Sequence, residues 1–189
     1  GCFEIPDMIA TNKVVVSLLS NKDKKILNIG AGTGTFEFLA SRKFPKKQFI
    51  ASEFDKDCIK WCKKNRQRKK IKFTSLNFNK LKKKYKKFDC VISIDVIEHI
   101  KDFSSFLKEI AKLSSKAIFS TPNKDTSFKT ATAPVPLYYE HTQEWDAGEL
   151  YWILRCFYKK VTLYSITDYE KEENLDMKIE YKKVGLMST

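Results

Sequence analysis

The residues best suited to chemistry are in DVIEH, Asp95 to His99, where two carboxylates precede an imidazole. The second of the chain's two histidines, His141, stands in YYEHTQEW. An acid beside a histidine makes a good general base near neutral pH, since the ring titrates there and the acid supports its charged form. Glu98, His99 and His141 are therefore the candidates for moving a proton.

A second stretch, ILNIGAGTGTF from Ile26 to Phe36, poses a different question. Gly30, Gly32 and Gly34 cost conformational entropy, so their clustering points to left-handed backbone or to close approach by another group. Ile26, Leu27 and Ile29 read as a buried strand before them, and Phe36, Phe38, Leu39 and Ala40 as an apolar helix face after them. A strand, a glycine turn and a helix together form a seat for the polar part of a cofactor. The spacing G-A-G-T-G disfavours NAD, whose fingerprint places the third glycine one residue later, and the G-K-[ST] ending of a phosphate-binding loop is missing.

The elements that must position these groups alternate. A leading helix lies within 1–22, then strands at Lys25–Ile29, Gln48–Glu53, Ile71–Leu76, Phe88–Asp95 and Ala117–Ser120. Helices fall at Thr35–Lys43, Lys56–Gln67, after a cap at Asp102, and over Glu144–Phe157. Residues 123–143, with prolines and little periodicity, read as an active-site loop. VTLYSI and MKIEYKKVGL close the chain as an antiparallel strand pair. The pattern predicts one α/β domain over 1–189, a mostly parallel twisted sheet with helices on both faces. Ligands in such sheets sit beyond the carboxyl ends of the strands, where the glycines, Glu53, Asn77 and Asp95 fall.

The net charge of +13 is local. Residues 60 to 87 hold fourteen Lys or Arg and no acid, so the rest of the chain is close to neutral. That segment reads as a solvated face, with a polyanion such as nucleic acid as the alternative. The five cysteines are scattered through apolar segments, as reduced core thiols would be. No apolar run is long enough to span a membrane and the N-terminus lacks a signal-peptide pattern, so a cytoplasmic location is expected.

Over about residues 24 to 165 the chain resembles the class I S-adenosylmethionine-dependent methyltransferases, which are Rossmann-like. ILNIGAGTG is similar to the methionine-binding loop, FIASEFD to the strand that ends in the ribose acid, FTSLNFN to the adenine-side strand end, and FDCVISIDVIEHI to the fourth strand with its following turn. The resemblance implies S-adenosylmethionine as cofactor, held by Gly30, Ala31, Gly32 and Gly34. It implies Glu53 on the ribose hydroxyls, Phe54 on the adenine face, Asn77 or Phe78 at the adenine edge, and Asp95 near the cofactor. Asn28 stands where the family usually has an acid, which implies weaker cofactor binding.

Asp-x-x-Glu-His with a later His also resembles quinone-biosynthesis-type O-methyltransferases and, more distantly, small-RNA 3′-terminal 2′-O-methyltransferases. That likeness raises a divalent metal on Glu98, His99 and His141; an acid and histidine acting as base without metal is the preferred reading. The expected reaction is O-methylation of a small-molecule or sugar-like acceptor. An RNA 2′-O-methyltransferase using residues 60–87, or a silent binding or scaffold protein, are the alternatives. Tyr138, Tyr139 and Trp145 are candidates for an acceptor lid, and Trp152 for the core. Oligomeric state is not legible.

Overall fold

The computed structural model describes residues 6–75, 78–124, 139–169 and 179–183; within these, the side chains of 6–8, 78, 79, 82, 167–169 and 179–183 are not described. Helix α1 (Pro6–Ser17) leads into β1 (Lys25–Ile29), α2 (Thr35–Lys43), β2 (Gln48–Ser52), α3 (Lys56–Asn65) and β3 (Ile71–Thr74). There follow α4 (Phe78–Lys84), β4 (Cys90–Ile94), a single 3-10 turn (Ile97–His99), α5 (Phe103–Leu113), β5 (Ala117–Ser120), α6 (Ala147–Arg155), β6 (Tyr164–Tyr169) and β7 (Ile179–Lys183).

The first five strands form one parallel sheet in the order β3-β2-β1-β4-β5, with Ile29 opposite Ser52 and Leu27 opposite Val91. This is the expected α/β architecture. Side chains alternate across the sheet, so Ile26, Phe49, Ala51 and Ile92 pack under α1, α2 and α3, while Leu27, Ile50 and Val91 pack under α4 and α5. Both faces are covered, which is why these strands read as continuous apolar runs. The expected antiparallel pair is also present, with β6 and β7 forming a separate two-stranded sheet.

Several expectations need correction. Helix α4 was not anticipated, because its core anchor Leu81 sits among lysines that hide any periodicity. The buried face of α2 is Phe36, Glu37, Ala40 and Ser41, whereas Phe38 and Leu39 are only half-buried. Trp152, expected in the core, is 67% exposed, and Trp145 is the buried one. Cys58 is disulfide-bonded, which corrects the expectation of five reduced thiols; Cys62, Cys90 and Cys156 are free. Most of the 123–143 loop, Tyr138 included, lies outside the described residues, as does Asn77; of Phe78 only the backbone is described. No helix among the described residues is long and apolar enough to cross a membrane.

Candidate active site

In this strand order the chain reverses direction across the sheet between β1 and β4. Loops after those two strands diverge and leave a crevice at their carboxyl ends. The glycine loop follows β1 and the Asp95–His99 turn follows β4, so both predicted clusters open onto the same crevice.

The glycine loop is anchored on β2, where the Ser52 carbonyl accepts from the Gly30 N–H at 2.8 Å and the Ala31 N–H at 3.0 Å. Gly30, Gly32 and Gly34 have φ of 75°, 50° and 70°, the left-handed region. Their spatial roles differ. A Cβ on Gly30 would lie 2.3 Å from Val96 Cγ2, and one on Gly34 would lie 2.9 Å from the Phe73 ring. At these two positions the missing Cβ makes room for a protein neighbour. A Cβ on Gly32 would meet nothing within 4 Å, so Gly32 is the position that presents bare backbone to open space.

Glu53 follows β2 and is buried. Its Oε2 accepts from Gly32 N–H at 2.9 Å, and its Oε1 accepts from the N–H groups of Phe54 at 2.7 Å and Asp55 at 3.1 Å. The carboxylate thus fixes the loop to the strand end, and Oε2 keeps a lone pair for a ligand hydroxyl. Beside it, the Phe54 ring is 87% exposed and can stack on a flat ligand.

Asp95 has φ 51°, a strained conformation for a residue with a Cβ. Its N–H is held by the Ser120 carbonyl and hydroxyl, each at 3.1 Å, and its Oδ1 accepts from Ser120 Oγ at 2.6 Å. Burial raises its pKa, opposed by Ser120 and by the two histidines. Asp95 therefore belongs to the histidine side of the crevice.

The carbonyl of Glu98 accepts from Thr142 N–H at 2.7 Å and Thr142 Oγ1 at 2.9 Å. That clasp brings His141 against His99, with ring centroids 4.8 Å apart and planes at 78°. Each ring is oriented through Nδ1. His99 Nδ1 lies 3.0 Å from the Glu140 carbonyl oxygen, which can only accept, so Nδ1 carries the proton. His141 Nδ1 lies 2.6 Å from Glu144 Oε1, a buried carboxylate with the same effect. In the neutral rings Nε2 is then the basic nitrogen of both.

Between them, Glu98 is 1% exposed and its two carboxyl oxygens have no hydrogen-bond partner among the described residues, although Thr121 faces it. Burial raises its pKa, and Asp95 adds to the rise. One ligand atom from each of Glu98, His99 and His141 falls within 4.8 Å of the others. A cavity of about 1170 Å³ opens beside these groups, lined also by Asp95, Asn123 and Trp145.

Comparison with known proteins bears on this geometry. A family profile described as "Methyltransferase domain" matches residues 8–162. The chain belongs to the methyltransferase-domain family. Solved structures of similar fold include the N-terminal domain of EvdMO1 in the presence of SAH and D-fucose, with TM-score 0.61, 14% identity, 90% of this chain covered and 79% of that one. Others are the plantazolicin methyltransferase BpumL with SAH, at TM-score 0.60, 15% identity and coverage of 84% and 65%, and the [4+2]-cyclase SpnF, at 0.63, 16%, 86% and 58%. At these identities the likeness is one of fold. No curated protein matches the chain.

The methyltransferase-domain chain thus carries one protein surface with two halves, glycine loop with Glu53 on one side and Asp95, Glu98, His99 and His141 on the other. Sequence reading identified each of these residues. It missed Ser120 and Glu144, which orient them, and Glu37, which lies beneath the loop.

Proposed function

We propose that the protein is an S-adenosylmethionine-dependent O-methyltransferase acting on a small-molecule or sugar-like acceptor. The observation that carries this reading is the convergence of Glu98, His99 and His141 on a cavity at the carboxyl end of β4, the strand that neighbours the one leading into the glycine loop. The methyl donor is S-adenosylmethionine, which supplies a methyl group already activated on a sulfonium. The residues fit it: Gly32 faces open space, Glu53 offers a free lone pair at the ribose position, and the Phe54 ring is free to stack. With the leaving group activated, the protein's tasks are alignment, exclusion of water and removal of the acceptor's proton.

His99 Nε2 accepts that proton, and the Glu140 carbonyl holds the ring through Nδ1. His141, oriented by Glu144, holds the acceptor hydroxyl or shares the base role. The carboxylates of Asp95 and Glu98 favour the imidazolium that results. The SAH and D-fucose present with the EvdMO1 domain are in keeping with both halves of this reading. Titration with SAH followed by an acceptor screen tests it: no binding of SAH at millimolar concentration would sink it.

A metal-assisted variant is favoured by one observation, the unpartnered buried carboxylate of Glu98 beside two imidazoles. Two nitrogens and one oxygen suit a divalent transition ion, which would lower the pKa of an acceptor hydroxyl.

The RNA reading finds less support. The basic residues cluster on α3, β3 and α4, and β3 and β5 are opposite edges of the sheet, about 19 Å apart at normal strand spacing. The acceptor cavity lies at the β5 side. Part of the arginine charge is also engaged locally, with the guanidinium groups of Arg66, Arg68 and Arg42 at 4.4, 5.2 and 5.5 Å from the Phe38 ring centroid.

A further inference from the structure

Beneath the glycine loop lies an acid that the roles above do not use. Glu37 is 0% exposed, in the first turn of α2, and neither carboxyl oxygen has a hydrogen-bond partner among the described residues. Asn28 faces it from β1, 2% exposed, its own Oδ1 equally unpartnered. A buried carboxyl faced only by the Asn28 amide, at a geometry outside hydrogen-bond limits, is costly, and an apolar side chain would pack there at no such cost. Packing therefore gives no account of Glu37. Its position does: it stands three residues after Gly34, about 4.5 Å of helix rise from the loop.

We propose that Glu37 is a cofactor-positioning acid whose ionisation is promoted when a cationic nucleoside occupies the glycine loop, so that the sulfonium donor is held more tightly than the neutral thioether left after transfer. This rests on the S-adenosylmethionine reading above. Burial pushes the Glu37 carboxyl up to about 7, against the smaller opposing pulls of the Asn28 amide and its own backbone, and no charged side chain acts on it. A carboxyl poised there changes charge state in response to one added cation. A positive charge within about 10 Å, felt through an effective dielectric of about 20, moves a carboxyl by about one pKa unit. Transfer of the methyl group removes the sulfonium charge, Glu37 takes back a proton, and the product loses its hold.

The test is calorimetric titration of the full chain between pH 6 and pH 8 with two ligands: sinefungin, which carries an amine near the sulfonium position, and the neutral thioether SAH. Each is run in two buffers of different ionisation heat to count protons. Wild type should bind sinefungin about five-fold tighter at pH 8 than at pH 6, the part of a one-unit pKa shift that falls within that window, and release a fraction of a proton at pH 7. SAH, which shares the amino-acid end, should change less than two-fold. Glu37→Gln should bind sinefungin at the weak, low-pH level of wild type and lose the extra proton release. Equal pH profiles for the two ligands in wild type would overturn the proposal even if the variant did not fold. So would an unchanged sinefungin profile in a folded Glu37→Gln. Failure of either ligand to bind at any pH is a different outcome, because it removes the cofactor reading itself.

Discussion

His141 packs edge-on against His99 with ring centroids 4.8 Å apart, across 42 residues of sequence, and the clasp that holds them is the Glu98 carbonyl bonded to Thr142. Both rings are oriented through Nδ1, which leaves the Nε2 atoms for chemistry. If His99 is the base, His99→Ala should lower kcat by roughly 10²–10⁴-fold, the usual size of general-base catalysis, and leave SAH affinity within two-fold. A matching loss of SAH affinity would instead place His99 in the cofactor site.

The orienting residue gives a second, separable prediction. Glu144→Gln keeps the size of the side chain but weakens the fixed proton at His141 Nδ1, since an amide can turn either face to the ring. Loss of about 10-fold in kcat, with the folded state intact by circular dichroism, is expected from the cost of removing such supporting partners. An unchanged kcat would mean that His141 does not act through Nε2.

Chelation separates the base and metal readings. With His99 as base, dialysis against EDTA should leave turnover within two-fold, and added Mn²⁺ or Zn²⁺ should change little. Activity lost on chelation and restored by one divalent ion would make Glu98, His99 and His141 ligands, and Glu98→Gln should then abolish the response.

The sheet was legible because its strands are buried on both faces and the glycines punctuate the first of them, so a short apolar run and a turn sufficed. The same holds for the cap at Asp102, whose side chain accepts from the Ser105 N–H at 3.1 Å. Legibility failed where the deciding partner is distant in sequence. Glu37 lies between two phenylalanines in TFEFLA and reads as a solvent-facing residue; its burial depends on how α2 rolls over β1, which places Phe38 under three arginines instead. Trp152 shows the converse, since helical spacing with Leu150 and Leu154 cannot say which side of α6 meets the protein. The glycines illustrate a subtler limit: their clustering pointed to close approach, but it could not say that a Cβ at Gly30 would meet Val96 and one at Gly34 would meet Phe73.

Glu53 should tie cofactor binding to loop geometry. Glu53→Ala removes the acceptor for the N–H groups of Gly32, Phe54 and Asp55 together with the proposed ribose contact. Each charge-assisted hydrogen bond lost at this kind of site costs about 1.5–3 kcal/mol, so SAH affinity should fall by at least about ten-fold. Calorimetry showing wild-type affinity would remove Glu53 from the cofactor site.

Glu37 also predicts how stability varies with pH in the absence of ligand. Its carboxyl has an ordinary value of 4.5 and is raised to about 7 in the folded protein. Between those limits the folded state binds more protons than the unfolded one, so this residue's contribution falls as pH rises, the reverse of a salt-bridged acid. The full window corresponds to roughly 3 kcal/mol at about 1.4 kcal/mol per unit. Glu37→Gln, always neutral, should therefore raise the unfolding free energy at pH 8 by an amount of that order, and by much less at pH 5. Urea unfolding at the two pH values measures the difference. A gain equal at both would show that the glutamine acts by packing alone, and a loss at both would mean that the carboxyl is satisfied by a contact stronger than Asn28.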